Sequence, residues 1–483
     1  MAGLAAIFLP SSLPAQITFE RTYGGTDDDY GYSVQQTGDD GFIIAGYTSS
    51  SGPGGVDAYL VRTDACGDTL WTKTFGGAYY DECRSVHQTT DGGYIITGYT
   101  ASLGAGGADV YLIKTNAAGD TLWTKTFGGT DWEEGQSVLQ TTDGGYVITG
   151  YTYSFGAGGW DVYLIKTDAD GDTLWTRTYG GRDDDCGWSV QQTADSGYII
   201  AGYTRSFGAG SYDIYLVRTD ARGDTLWTRT LGGAQEDFGR SMQQTSDGGC
   251  IVVGSTTSYG AGSADVYLIR TNANGDTLWT KTIGGREGDG ASSVQQTFDG
   301  GYIIAGGTSS FGEGCDVYLI NTDANGDTLW TKAFGGGDGD GTGSVRRTSD
   351  GGYIVAGYTY SFGAGGSDVY LIKTDSLGRV VDAVAEPKPG PTRAPALSLS
   401  CEPNPCREAT RISLKPQASS SKPMTLRVYD AQGRLTRTLT VNRTPYTVWD
   451  GENDFGQPLP SGAYFVRLAA GSQHASARLV LQR

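Results

Sequence analysis

The chain has 483 residues, with 35 Lys and Arg against 54 Asp and Glu, a net charge of −19, seven cysteines and only two histidines. So acidic a chain argues against a nucleic-acid ligand. Neither His87 nor His474 has a His or Cys partner at metal-ligand spacing, which argues against a His-based zinc site or a Ser-His-Asp triad, and no apolar run is long enough to span a bilayer.

In chain order, residues 1–15 carry the apolar run Leu4 to Leu9 and then Pro10-Ser11-Ser12-Leu13-Pro14-Ala15, the pattern of a secretory signal cut after Ala15 but lacking a basic start. A repeat array follows over 16–381. Its paired glycines begin at Gly24, Gly76, Gly128, Gly180, Gly232, Gly284 and Gly335, a period of 52 that shortens to 51 at the last step. Trp71, Trp123, Trp175, Trp227, Trp279 and Trp330 keep the same beat. Each unit reads as four strands. In the third these are Ser137–Gln140, Tyr146–Tyr151, Asp161–Lys166 and Thr173–Tyr179, separated by Gly, Asp and Asn turns. One small sheet cannot bury both faces until neighbours stack on it, so the period predicts an all-β, seven-bladed propeller.

The two ends of the array complement each other. Ile17 to Gly25 is a fourth strand without its first three, with Phe19 in the tryptophan position, whereas the last unit runs to Lys373 and then degrades at Ser376 to Val381. The N-terminal strand is therefore expected to complete the seventh blade, removing both sheet edges. Residues 379–381 are left without an assigned place and could compete for the same edge.

Several recurring residues are candidates for chemistry. An acid stands four residues after each second glycine: Asp29, Asp81, Glu133, Asp185, Asp237, Asp289 and Asp340. A propeller gathers these seven loop positions on one face near the channel, where clustered carboxylates suit Ca²⁺; backbone capping is the competing reading. A second column, Asp57, Asp109, Asp161, Asp213, Asp265, Asp316 and Asp368, reads as turn caps. The tryptophans are too periodic to form a ligand box and are expected to pack on glycines of an adjacent blade. Their spacing faintly resembles the docking motif of quinoprotein propellers, from which only packing carries over.

Variation between units points elsewhere. Tyr79, Tyr80, Trp132, Trp160, Trp188 and Tyr212 occur in some units only, on the face that carries the acids. Aromatic faces beside carboxylates suit sugar rings, although such residues also cover blade seams. Active sites break symmetry and the acid columns here are uniform, so catalysis is not expected and no cofactor other than Ca²⁺ is implied. Asp68-Thr69-Leu70 and its repeats resemble an O-glycosylation sequon, as well as being simply strand residues.

Charge changes after the array. Residues 387–483 hold 13 Lys and Arg against 6 Asp and Glu, leaving 22 against 48 in residues 1–386. Residues 382–396 form a Pro-rich stiff linker. Over 397–483, the turns Asp430-Ala431-Gln432-Gly433 and Pro460-Ser461-Gly462 between alternating strands predict a small β-sandwich. Cys401 and Cys406 flank Glu402-Pro403-Asn404-Pro405 and could form a short-loop disulfide, while Cys83, Cys186 and Cys315 are placed in loops.

Pro403-Asn404-Pro405, Leu426 to Arg434, Trp449-Asp450-Gly451, Leu459 to Leu468 and Arg478 to Leu481, in that order, resemble the type A sorting domain of type IX secretion cargo and equally the Ig-like domain of the flagellar hook-capping protein. Trp449-Asp450-Gly451 is closer to the latter. The resemblance implies export through the secretion machinery and retention at the cell surface or release. The repeats also resemble propeller repeats of exported proteins in gliding bacteria. Together these lead us to expect a secreted or surface-associated, monomeric, non-catalytic scaffold that binds a surface polysaccharide or protein, with a glycan- or calcium-binding lectin as the alternative and a polysaccharide-active enzyme ranked below it.

Overall fold

The computed structural model describes residues 16–380, 398–402, 404, 406–407, 409–415, 424–430, 434–441, 446–470 and 473–483. The expected signal segment, the 382–396 linker and Val381 lie outside the described residues. The chain divides into two compact units.

The first unit is a seven-bladed propeller, seven four-stranded antiparallel sheets; six blades run in sequence order from first to fourth strand, and the seventh takes its fourth strand from the N-terminal end of the array. In the third blade these are Glu133–Gln140, Tyr146–Thr152, Asp161–Thr167 and Thr173–Tyr179. The second and third strands are buried along their whole length, and the fourth is the exposed outer strand. The first strand starts at Glu133, four residues before the expected Ser137, because a β-bulge between Gly135 and Ser137 breaks the alternation there. The acids at 29, 81, 133, 185, 237, 289 and 340 therefore open strands rather than sitting in loops. Cys83 and Cys186 likewise lie buried in first strands, not in loops, while Cys315 is exposed just before a third strand.

Hydrophobic burial is shared between neighbouring blades. Ile43, Ala45, Ala58 and Leu60 of the first blade form one cluster with Cys83, Val86, Tyr94, Ile96, Tyr111 and Ile113 of the second, with Trp71 packed at its margin. Equivalent clusters fill the other junctions. Gly119 turns with a positive φ of 78° directly against the Trp71 ring, and a Cβ there would stand 2.7 Å from Cη2. A side chain at this turn would push the blades apart. The seam between the seventh and first blades uses Phe19 in place of tryptophan, against Gly67.

Phe19–Tyr23 pairs antiparallel with Asp368–Thr374, in the register Phe19↔Lys373 to Tyr23↔Val369, and closes the ring. Arg379 does not contest this edge. Its carbonyl accepts the Asp375 N–H at 2.9 Å to finish a turn, Gly378 meets the Trp330 ring, and Val380 packs on the core between the sixth and seventh blades.

The second unit is an Ig-like sandwich. Ser398–Glu402, Thr410–Lys415 and Tyr446–Trp449 form one sheet, and Leu435–Val441, Met424–Asp430, Gly462–Ala470 and Gln473–Leu481 the other. Trp449, Ile412, Leu426, Val428, Val466 and Leu479 fill the space between them. Cys401 and Cys406 touch this core as free thiols, so the disulfide expected between them is not formed.

Phe19 is 2% exposed and joins the cluster that seals the ring. Phe19→Ala is expected to cost about 3–5 kcal/mol through the cavity it leaves, seen as a lower urea midpoint and earlier proteolysis at the closing strand.

Candidate functional site

The two acid columns work at the loops of one face. Oδ2 of Asp81 accepts the Gly77 N–H at 2.8 Å and the Ser102 hydroxyl at 2.7 Å, so one carboxylate ties the loop entering the blade to the loop between its second and third strands. Asp29, Asp185, Asp237, Asp289 and Asp340 repeat both bonds. Glu133 accepts the Gly129 N–H and turns its second oxygen to Thr152 and Ser154. In the other column, Asp109 accepts the Ala105 N–H at 2.9 Å, and burial holds its carboxyl above the usual range. The columns meet at the first paired glycine. A Cβ on Gly76 would lie 2.5 Å from Asp81 Oδ2 and 2.8 Å from Asp57 Oδ1. Among the described residues, no three His, Cys, Asp or Glu side chains gather as a metal-holding group. Asp237→Ala is expected to cost about 2–3 kcal/mol, the worth of hydrogen bonds from two half-buried donors to a charged carboxylate. Caps alone leave the melting temperature unchanged on calcium addition, whereas ion binding raises it.

The repeat breaks at the bulge of the first strand, the strand lining the channel. Its bulge residues are Tyr32, Arg84, Gln136, Trp188, Arg240, Ser292 and Gly343 around the ring. Two residues before each stand Tyr30, Glu82, Glu134, Cys186, Phe238, Gly290 and Gly341. Seven equivalent positions thus carry aromatic, cationic, anionic and absent side chains on one scaffold.

In the first three blades these side chains engage each other. Arg84 lies 3.0 Å from Glu82 and 4.0 Å from Glu134, with its guanidinium 4.2 Å above the Tyr32 ring. Tyr99 donates to Glu82 at 2.7 Å, while Trp132 and Gln136 donate to Glu134 at 2.8 and 2.9 Å. Burial pushes the Glu82 carboxyl up, and Arg84 and Tyr99 oppose that shift. Tyr30 stacks on Tyr47 and Tyr358 at 4.8 and 4.3 Å. In the fourth and fifth blades Arg240 lies 4.1 Å above the Trp188 ring, beside a cluster of Tyr203, Tyr212 and Phe238.

The aromatics singled out in the sequence are dispersed. Tyr79 and Tyr80 stand 65% and 59% exposed on one loop. Trp132 packs 5.8 Å from Tyr99, Trp160 4.2 Å from Tyr151, and Tyr212 on Tyr203. Trp188 sits on a strand bulge beneath Arg240 rather than in a loop. Arg84, Arg240, Glu82, Glu134 and Phe238 escaped sequence reading, although aligning the units at the bulge exposes them as the most variable columns.

Below the mouth the inner edges are clasped. Ser33 Oγ accepts the Val86 N–H of the next blade and Gln35 Oε1 the Gln88 N–H, a pattern repeated at other junctions by Ser241, Ser293, Ser344, Gln191 and Gln295. These bonds satisfy strand edges that face the channel. His87 and Arg346 stand where most blades carry the first glutamine. His87 is partly buried, and this burial, with Arg346 adding, lowers its pKa to about 4. It is neutral when folded while the unfolded imidazole protonates near 6.5, so stability is lost as pH falls from about 6.5 toward 4. An NMR titration of His87 with its midpoint near 4, and loss of this acid sensitivity in His87→Gln, are the expected results. His474 falls in the strand Gln473–Leu481 of the sandwich.

Residues 407–474 match the family described as the FlgD Ig-like domain. The chain is also similar to the regulatory protein FlaEY of Caulobacter vibrioides, 27% identical over 256 residues that make up 45% of this chain and 26% of that protein. It thus spans about a quarter of the length of that curated relative. Among solved structures it is similar to PorZ, a surface component of the type IX secretion system of Porphyromonas gingivalis, at 11% identity and a TM-score of 0.43, covering 95% of this chain and 60% of PorZ. A puromycin hydrolase is similar at 14% identity and a TM-score of 0.48, covering 83% of this chain and 61% of the hydrolase.

Proposed function

We propose that this chain is an exported, non-catalytic binding scaffold displayed at or released from the cell surface. The observation that carries the reading is the division of labour within the propeller: caps and junction cores repeat in every blade and clasps in most, while the bulge side chains that differ converge at one mouth of the channel. A ring that holds its frame constant and varies one rim is built to present a surface. Glu82 and Glu134, two acids at the mouth that depart from the repeat, are engaged by Arg84, Tyr99, Trp132 and Gln136. That engagement disfavours these two as an acid-base pair for hydrolysis.

In this reading residues 1–15 direct secretion, 382–396 space the two units, and the C-terminal unit is a type IX sorting domain that engages the secretion machinery. The match of 407–474 to the FlgD Ig-like domain and the order of motifs in the tail support the last assignment. The full chain is expected at the cell surface or in the medium, and a chain ending at residue 396 inside the cell. Immunoblots of fractionated cells check this, and equal surface display of both forms defeats the sorting role.

A further inference from the structure

The two arginines at the channel mouth differ in what they face. Arg84 is matched by Glu82 and Glu134. Arg240 has no acid within ion-pair distance among the described residues; the groups beneath it are the Trp188 ring at 4.1 Å and the Phe238 ring at 5.8 Å. Burial, with the like charge of Arg84 contributing, holds its guanidinium below the ordinary arginine value. A half-buried cation without a counter-ion is costly for a fold that pairs its comparable Arg62, Arg218 and Arg270 with Asp39, Asp195 and Asp247.

The space beside Arg240 is open on one side. The next blade carries Ser292 at the bulge and Gly290 and Gly307 where most other blades place Tyr, Glu or Phe. A Cβ added to Gly290 meets only Ser255 Cβ, at 3.4 Å. This notch therefore combines a guanidinium held face-on to an indole, an aromatic wall from Phe238 and hydroxyls from Ser255 and Ser292. Stacking on Trp188 leaves the in-plane N–H fork of Arg240 free for a bidentate acceptor.

We propose that the notch between the fifth and sixth blades binds an acidic sugar, a uronic-acid residue of a polysaccharide, with its carboxylate on Arg240, its apolar ring face against Phe238 and its hydroxyls at Ser255 and Ser292. The proposal rests on the reading of the propeller as a binding scaffold and names its ligand class. A uronate fits better than a phosphate because its one carboxylate matches the one guanidinium fork in the notch, while its ring also offers an apolar face to Phe238 and hydroxyls to Ser255 and Ser292.

The test is calorimetric titration of the full chain with trisaccharides of galacturonate, glucuronate, mannuronate and guluronate, each beside its methyl ester, which keeps the sugar and removes the charge. At least one acid form is expected to bind and its ester to bind at least about tenfold more weakly, the worth of one charged hydrogen-bonded pair. Arg240→Met is expected to abolish the difference between acid and ester, and Arg240→Lys to restore part of it. Gly290→Leu fills the notch without touching the arginine and is expected to weaken binding by a similar factor. Arg84→Gln serves as the control that removes a charge already paired. Binding of none of the acids, equal binding of acid and ester, or unchanged binding by Arg240→Met with its melting temperature preserved each overturns the proposal. If one of these results overturns the uronate assignment, capture of a neutral surface glycan or protein by the full chain leaves the scaffold reading standing, and its absence defeats both.

Discussion

Each four-stranded blade of the propeller is apolar on both faces, and no blade can bury both by itself. That constraint makes the ring necessary. The clusters between blades are joint property, and the indole of one blade rests on a turn of the next that tolerates only glycine. Because the ring has to close, its seventh seam recruits Phe19 from the opposite end of the array, in the place an indole occupies elsewhere. An array left open would expose one unpaired sheet face and strand edge at each end.

Closure places demands on polar groups as well as apolar ones. Inner strands face the channel with backbone N–H groups that have no further strand to pair with, and serine and glutamine side chains from the preceding blade accept them. On the loop face, each acid that opens a first strand gathers a glycine N–H and a hydroxyl, from serine at the six aspartates and from Thr152 at Glu133. Uniform acids are thus explained by the uniform backbone they serve. Where a blade departs from the pattern, as His87 and Arg346 do in the channel or Arg240 at its mouth, the departure changes the local electrostatics and not the frame.

The bulge in each first strand links frame to function. An extra residue in a strand is released from the alternation that commits its neighbours to the seams. That residue can vary without penalty to packing, and it does vary, from Trp188 through Ser292 to Gly343. Aromatic loop residues, the more obvious candidates, mostly lie against a tyrosine of their own blade, as Trp160 does on Tyr151. They contribute to the rim chiefly as its walls.

The period of 52, the orphan strand ending at Gly25 and the degraded seventh unit were enough to specify seven blades and their closure from the chain alone, because hydrophobic alternation and glycine turns are local signals. The two-sheet tail was legible for the same reason. What only the tertiary structure decided was which side chains from different blades come together. Arg84 meets Glu134 and Arg240 lies over Trp188 across some fifty residues of chain, and the bulge that turns them toward the channel shows in the pairing register and in no local pattern. Cys83 and Cys186 read as loop residues for the same reason, since the strand that buries them begins before the bulge and its alternation is broken within it.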